Sequence, residues 1–199
     1  MKKIGICGGA DVNLTLNASL SYIGVDHGIE SLLEQGITPI IGVGDFDSIK
    51  DKELLKRIDI EILPTRKDIT DTHYAIDWAI EKGYQEIELY GVTGGRIDHY
   101  MAILCLLQKY SNTNITILDN QNKIMLLPAG KHQIMKSKYT YFSLFAIEST
   151  YITLTSCEYP LGNYYLTKED PLCVSNQIVD SYVNIESTKD VIFIQSKDK

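Results

Sequence analysis

Ile40-Ile41-Gly42-Val43-Gly44-Asp45-Phe46-Asp47-Ser48-Ile49 is the stretch from which the fold of this chain can be read. An apolar run stops at a glycine and two carboxylates spaced one residue apart, the pattern of a buried strand opening into a charged loop. Strands covered on both faces are short, continuous apolar runs, and in open α/β sheets ligands bind in the crevice beyond their carboxyl ends. Asp45 and Asp47 therefore stand where chemistry is expected. Two neighbouring carboxylates repel unless a cation lies between them, and a hard divalent ion such as Mg2+ prefers oxygen ligands. A solvated turn is the plain alternative, because Asp, Gly and Ser are ordinary turn residues.

Working outward, short apolar runs alternate with helical stripes. Strands are expected at Lys3 to Cys7, Tyr22 to Val25, Ile40 to Val43, Glu61 to Leu63, Glu86 to Tyr90 and Asn114 to Leu118. Helices are expected from Ile29 to Gln35, Asp51 to Arg57, Asp68 to about Lys82 and Asp98 to Lys109, with Gly36 and Gly83 as stops. The strands end in glycine or in charge: Gly8-Gly9, Asp26-His27-Gly28, Gly44-Asp45, and Gly91-Val92-Thr93-Gly94-Gly95-Arg96. Neither the dinucleotide fingerprint nor a P-loop is present, so a phosphate cradle has to be built differently. The loop Gly94-Gly95-Arg96 entering a helix suits an anion, since backbone amides and the helix N-terminus face one place. Asp68 and Asp71, three apart, share one face of a first helical turn behind Arg66 and Lys67. Capping is the bland reading of Asp68, as it is of Asp98. Trp78 is expected to pack, and His73 to be a surface or packing residue.

After Asn120 to Asn122 the helical stripes stop. Runs rich in β-branched and aromatic residues follow at Lys123 to Leu127, Tyr141 to Ile147, Tyr151 to Thr155, Ile178 to Ile185 and Val191 to Gln195, divided by Pro and Gly. Such spacing predicts an antiparallel sandwich. The fold class is thus α/β: an N-terminal three-layer α/β/α domain with a mostly parallel sheet over residues 1–120, then a smaller C-terminal antiparallel β-sandwich domain over 121–199.

The 199 residues carry 26 acids against 19 Lys and Arg, a net charge of −7. That balance opposes nucleic acid as a partner, because backbone phosphates are held by clustered cations. The amino terminus lacks the long apolar stretch of a signal peptide, and no run approaches membrane-spanning length. Cys7, Cys105, Cys157 and Cys173 show no metal-ligand spacing, which predicts reduced, mostly buried thiols in the cytoplasm.

Three segments in order, Gly44 to Ser48, Asp68 to Asp71 and Gly94 to His99, resemble the Gly-Asp-Phe-Asp-Ser, Asp-x-Thr-Asp and Gly-Gly-Arg-x-Asp-His/Gln motifs of thiamine pyrophosphokinases. The resemblance implies a homodimer with thiamine near the subunit junction, ATP as co-substrate and Mg2+ as cofactor. The implied reaction transfers the pyrophosphoryl group of ATP to the hydroxyethyl oxygen of thiamine, giving thiamine diphosphate and AMP. It also implies Asp45, Asp47 and Asp71 as metal ligands, with Asp68 and Asp98 as further catalytic carboxylates. Asp26, Gly28, Lys67, Gly94, Gly95, Arg96 and His99 would then meet the nucleotide. Thr70, Asp98, Ser175 and Asn176 would meet the substrate. Some relatives place a tryptophan against thiamine from the C-terminal domain; here Trp78 is the one tryptophan, so either a Tyr or Phe substitutes or the pocket prefers a different alcohol. The rival readings are a Mg2+-dependent phosphatase or nucleotidyl-type enzyme using Asp45-Phe46-Asp47, and a non-catalytic sensor of thiamine diphosphate or nucleotide.

Overall fold

The computed structural model describes residues 1–10, 12, 14–46, 58–62 and 68–198, which divide into two compact units, Met1–Asn120 and Gln121–Lys199. In the first unit six strands form one parallel array in the order β6-β5-β1-β2-β3-β4. They are β1 (Lys3–Cys7), β2 (Tyr22–Val25), β3 (Ile41–Gly44), β4 (Ile60–Ile62), β5 (Glu86–Tyr90) and β6 (Asn114–Leu118). Helices α1 (Gly28–Glu34), α2 (Asp71–Glu81) and α3 (Ile97–Lys109) alternate with them. Burial follows from this topology: all of β2 and β3 except Ile41 is buried, as strands covered on two faces must be. Ala75, Ile76 and Ala79 of α2 and Ile103, Leu106 and Leu107 of α3 are the buried stripes of those helices, at helical spacing.

The second unit holds two antiparallel sheets. One runs β12-β9-β14-β7, from Asn176–Gln177, Tyr141–Ala146, Val191–Ser196 and Asn122–Leu127. The other runs β11-β10-β13-β8, from Leu161–Leu166, Thr150–Thr155, Tyr182–Ser187 and Gly130–Met135. Both sheets contribute to one core, with Phe142, Leu144 and Phe193 from the first packed with Ile152, Leu154, Val183 and Ile185 from the second. Burial in β13 alternates along the strand, because its outer face meets solvent.

The architecture is the α/β class followed by an antiparallel sandwich that the sequence predicts. Particular elements differ. Thr70, rather than Asp68, caps α2, its hydroxyl accepting a hydrogen bond from the His73 amide at 3.2 Å. α3 begins at Ile97 with Arg96 as its cap residue, so Asp98 lies inside the first turn. β8 and β11 were not expected, and the run expected from Ile178 to Ile185 is interrupted, with an isolated bridge from Ile178 to Cys157 before β13 starts at Tyr182. The helix expected over 51–57 lies outside the described residues.

Candidate active site

Because β1, β2, β3 and β5 are parallel, their carboxyl ends lie along the same edge, and the residues following them are gathered there. Backbone bonds tie the first of these loops to the last: Gly8 donates to the Tyr90 carbonyl at 2.7 Å and Ala10 to the Gly91 carbonyl at 2.9 Å. A cavity of about 490 Å³ opens at this edge. Gly8 and Gly9 follow β1, Asp26 and His27 follow β2, Thr70, Asp71 and Thr72 open α2, and Gly91, Val92, Gly95 and Arg96 lead into Asp98 and His99 of α3. Val25, Ala102 and Ile103 supply its apolar walls.

Each polar residue is held by local structure. Asp26 has a left-handed backbone, φ 49°, with its amide donating to the Val43 carbonyl at 3.0 Å and its carbonyl accepting from Ile29 at 3.2 Å. Its carboxylate lies over Gly44: a Cβ there would fall 2.0 Å from Asp26 Oδ1, so only glycine leaves room immediately before Asp45. Asp71 is the first residue of α2, where a negative charge is favoured by the helix dipole. Arg96 and Asp98 form a two-pronged pair, Nε donating to Oδ1 at 3.0 Å and Nη2 to Oδ2 at 2.5 Å, with the His99 amide also donating to Oδ1 at 3.0 Å. The pair is exposed, and the Arg96 guanidinium holds the Asp98 carboxyl down at a pKa of about 2.

Of the residues singled out in the sequence, the cavity brings together Asp26, Thr70, Asp71, Gly95, Arg96, Asp98 and His99. Asp45 is half-buried beside Gly44, while Asp68 and Gly94 are exposed and do not line the cavity. Gly28 is buried; a Cβ there would fall 1.9 Å from the Cys7 carbonyl oxygen, so its lack of a side chain lets α1 approach the end of β1. Asp47 and Lys67 lie outside the described residues. Gly8, Gly9 and His27 were not singled out as site residues, although the glycine pair directly after the first strand was a usable signal.

The carboxylate oxygens that line this edge, those of Asp26 and Asp71, are of the kind that suits Mg2+ rather than a soft metal. Among the described residues no three His, Cys, Asp or Glu side chains converge within ligating reach.

In the second unit Ser175 is exposed, with φ 58°, and its amide donates to Ser143 Oγ at 3.1 Å. Asn176 is only 4% exposed. Its Oδ1 accepts from the amides of Tyr159 at 3.1 Å and Gln177 at 2.8 Å, and its Nδ2 donates to the Tyr159 carbonyl at 2.8 Å. Tyr159, whose backbone is held in this way, is itself 65% exposed. His73 packs at the far end of α3, where Nε2 meets Lys109 Nζ at 2.7 Å and the Tyr110 hydroxyl at 2.9 Å. Trp78 is half-buried, with Lys82 Nζ 5.4 Å above its ring. Cys7, Cys157 and Cys173 are buried free thiols and Cys105 is an exposed one.

Comparison with known proteins gives one result throughout. Residues 12–118 match the family described as thiamin pyrophosphokinase, catalytic domain, and residues 131–192 match thiamin pyrophosphokinase, vitamin B1 binding domain. A thiamine pyrophosphokinase of Bacillus subtilis is 37% identical over 215 aligned positions, covering 100% of both chains. A crystal structure of the thiamine pyrophosphokinase from Bacillus subtilis superposes with a TM-score of 0.90 at 34% identity, again over 100% of each chain. One of a thiamin pyrophosphokinase family protein from Enterococcus faecalis gives 0.91 at 27% identity over 100% of each chain.

Proposed function

The chain belongs to the thiamin pyrophosphokinase family, and from that premise we propose how its residues carry the transfer of pyrophosphate from ATP to thiamine. The hydroxyethyl oxygen of thiamine attacks the β-phosphorus of ATP. A new O–P bond forms, the bond from that phosphorus to the α,β-bridging oxygen breaks, and AMP leaves with the electron pair. The hydroxyl proton passes to a carboxylate, for which Asp68, exposed three residues before Asp71, is our candidate. Asp98 is the poorer candidate, because both of its carboxylate oxygens already accept from Arg96, which lowers its pKa. Its work is to present Arg96.

The observation that carries this reading is the cavity itself, whose lining combines Asp26 and Asp71 with a glycine-rich turn and the Arg96 guanidinium. Phosphoryl transfer asks the protein for positioning and charge neutralisation rather than covalent chemistry. Arg96, with Lys67, contacts the phosphates, and the amides at Gly94 and Gly95 and the start of α3 add dipoles of the right sign. Asp26, Gly28 and His99 border the nucleotide, Gly28 by letting α1 come close to β1. Asp45, Asp47 and Asp71 would hold Mg2+, which when bound offsets the negative charge of the triphosphate. Thr70 and Asp98 face the acceptor alcohol.

We assign nucleotide binding and catalysis to residues 1–120 and thiamine binding to 121–199. In the latter, Ser175 faces thiamine, and Asn176 acts by fixing the loop that carries Tyr159. An exposed aromatic ring with a clamped backbone suits a flat heteroaromatic ligand, and Tyr159 takes the role that tryptophan fills in relatives. We further propose a homodimer with thiamine near the junction of subunits, in the cytoplasm, where four free thiols are stable. Among the described residues no helix is long and apolar enough to cross a membrane. Product analysis tests the reaction: ATP, Mg2+ and thiamine should yield AMP and thiamine diphosphate one for one. ADP with thiamine monophosphate, or free phosphate, would contradict it.

A further inference from the structure

The glycine-rich turn between β5 and α3 takes two left-handed glycines, Gly91 at φ 61° and Gly94 at φ 81°, and such a segment needs an anchor to hold one conformation. Val92, Gly95 and Arg96 line the cavity, whereas Thr93 and Gly94 do not. Thr93 instead turns its hydroxyl to Asp119 and donates to Oδ2 at 2.7 Å. Asp119 is itself placed by the sheet. β6 pairs with β5 with Ile117 opposite Leu89, so Asp119 leaves β6 two residues beyond that pair, as Gly91 leaves β5. Asp119 also stands close enough to α3 for its charge, after burial, to raise the Tyr100 hydroxyl above its ordinary pKa. Both flanks of the turn are thereby referred to one carboxylate at the end of a rigid strand.

Resting on the reading of this cavity as the ATP site, we propose that Asp119 is a positioning residue which, through Thr93, sets the conformation in which Gly95 and Arg96 meet the phosphates. It touches no substrate. Its effect is to have the turn ordered before ATP arrives, so that binding does not have to supply the ordering. A hydrogen bond from a neutral hydroxyl to a carboxylate is among the stronger ones, so its loss should be visible in ATP affinity.

Steady-state kinetics on the full chain test this. For Thr93→Val, the KM for MgATP at saturating thiamine should rise about tenfold, while kcat and the KM for thiamine stay within about twofold. Thr93→Ser, which keeps the donor, should restore the KM for MgATP. The double variant Thr93→Val/Asp119→Ala should be no worse for MgATP than the worse single variant, since the Thr93–Asp119 hydrogen bond is lost in either one. An unchanged KM for MgATP in Thr93→Val, a parallel rise in both KM values with a lowered Tm, or additive effects in the double variant would each overturn the proposal. Titration with a methylene-bridged ATP analogue separates this idea from the reaction it rests on. About tenfold weaker binding by Thr93→Val supports the anchor even if no AMP were ever formed, and unchanged binding refutes it whatever the product.

Discussion

Asp71 and Asn176 are both residues that the family resemblance assigns to a ligand, yet the two units hold them differently. Asp71 begins a helix and its side chain lines a cavity, whereas Asn176 is buried and its amide is committed to Tyr159 and Gln177. The cause is topological. A parallel sheet brings the ends of β1, β2, β3 and β5 to one edge, so polar residues placed after successive strands collect in one crevice. Antiparallel sheets send successive strand ends to opposite edges, so the ligand surface we propose for the second unit rests on a single turn and an outward ring. In our proposal one unit presents its polar groups by architecture, and the other holds Tyr159 in place with a buried polar residue.

The sharpest way to break this contrast is at Asp71. Asp71→Asn keeps the shape and the helix start but removes a charge we assign to the metal and phosphates. We expect kcat to fall about 10³-fold with Tm little changed, since transition-state charge stabilisation of this kind is worth several kcal/mol. Rates near wild type at limiting Mg2+ would remove Asp71 from the site. Asn176→Ala should show the opposite balance. It strands the Tyr159 amide and carbonyl, which costs about 1–3 kcal/mol per buried unsatisfied group. A lower Tm together with a raised KM for thiamine is expected, and a fall in kcat with Tm unchanged would place Asn176 in catalysis instead.

Tyr159→Ala sharpens the comparison further, because the ring is exposed and its loss leaves the core intact. The KM for thiamine should rise several-fold to about tenfold, given about 0.5–1.5 kcal/mol for an aromatic pair beyond its buried area, while the KM for ATP stays put. Tyr159→Phe or Tyr159→Trp should preserve binding.

The smallest effect belongs to His73. Burial first, and then the nearby Lys109 ammonium, lower its pKa, partly opposed by Asp77. The folded state therefore prefers the neutral ring more than the unfolded chain does. Its contribution to stability is present above the ordinary histidine value of about 6.5 and is lost as pH falls through and below it. Unfolding midpoints should drop modestly from pH 7.5 to 5.5, and His73→Gln should flatten that slope; an equal slope in the variant would show that other groups carry it.

Much of the first unit could be read from residues alone, because several of its glycine and aspartate loops follow short apolar runs whose direction the alternation with helices already implies. What was hidden is explained by the same chemistry. Asp68 and Thr70 are both good caps, and only the described backbone shows Thr70 accepting from His73. β8, Gly130–Met135, has Ile134 as its one half-buried aliphatic residue, preceded by polar Lys131, His132 and Gln133 and followed by an exposed Met135, so its pattern resembles a loop. β11 opens Leu161-Gly162-Asn163, with Asn163 at φ 47°, which reads as a turn. Tyr159 stands between Glu158 and Pro160 and carries no periodicity, and the role we propose for it rests on its backbone bonds to the Asn176 side chain seventeen residues on. Ser-Asn is equally a turn and a ligand pair in sequence, and burial separates the roles.

The central claim is that the crevice between Asp26, Asp71 and Arg96 receives the phosphates of ATP. A crystal structure with Mg2+, thiamine and a methylene-bridged ATP analogue tests it most directly. The account predicts the triphosphate against Gly95 and Arg96, with Asp71 on the metal and the thiamine hydroxyl in line with the β-phosphorus. A triphosphate bound elsewhere, with this crevice filled only by solvent, would contradict it.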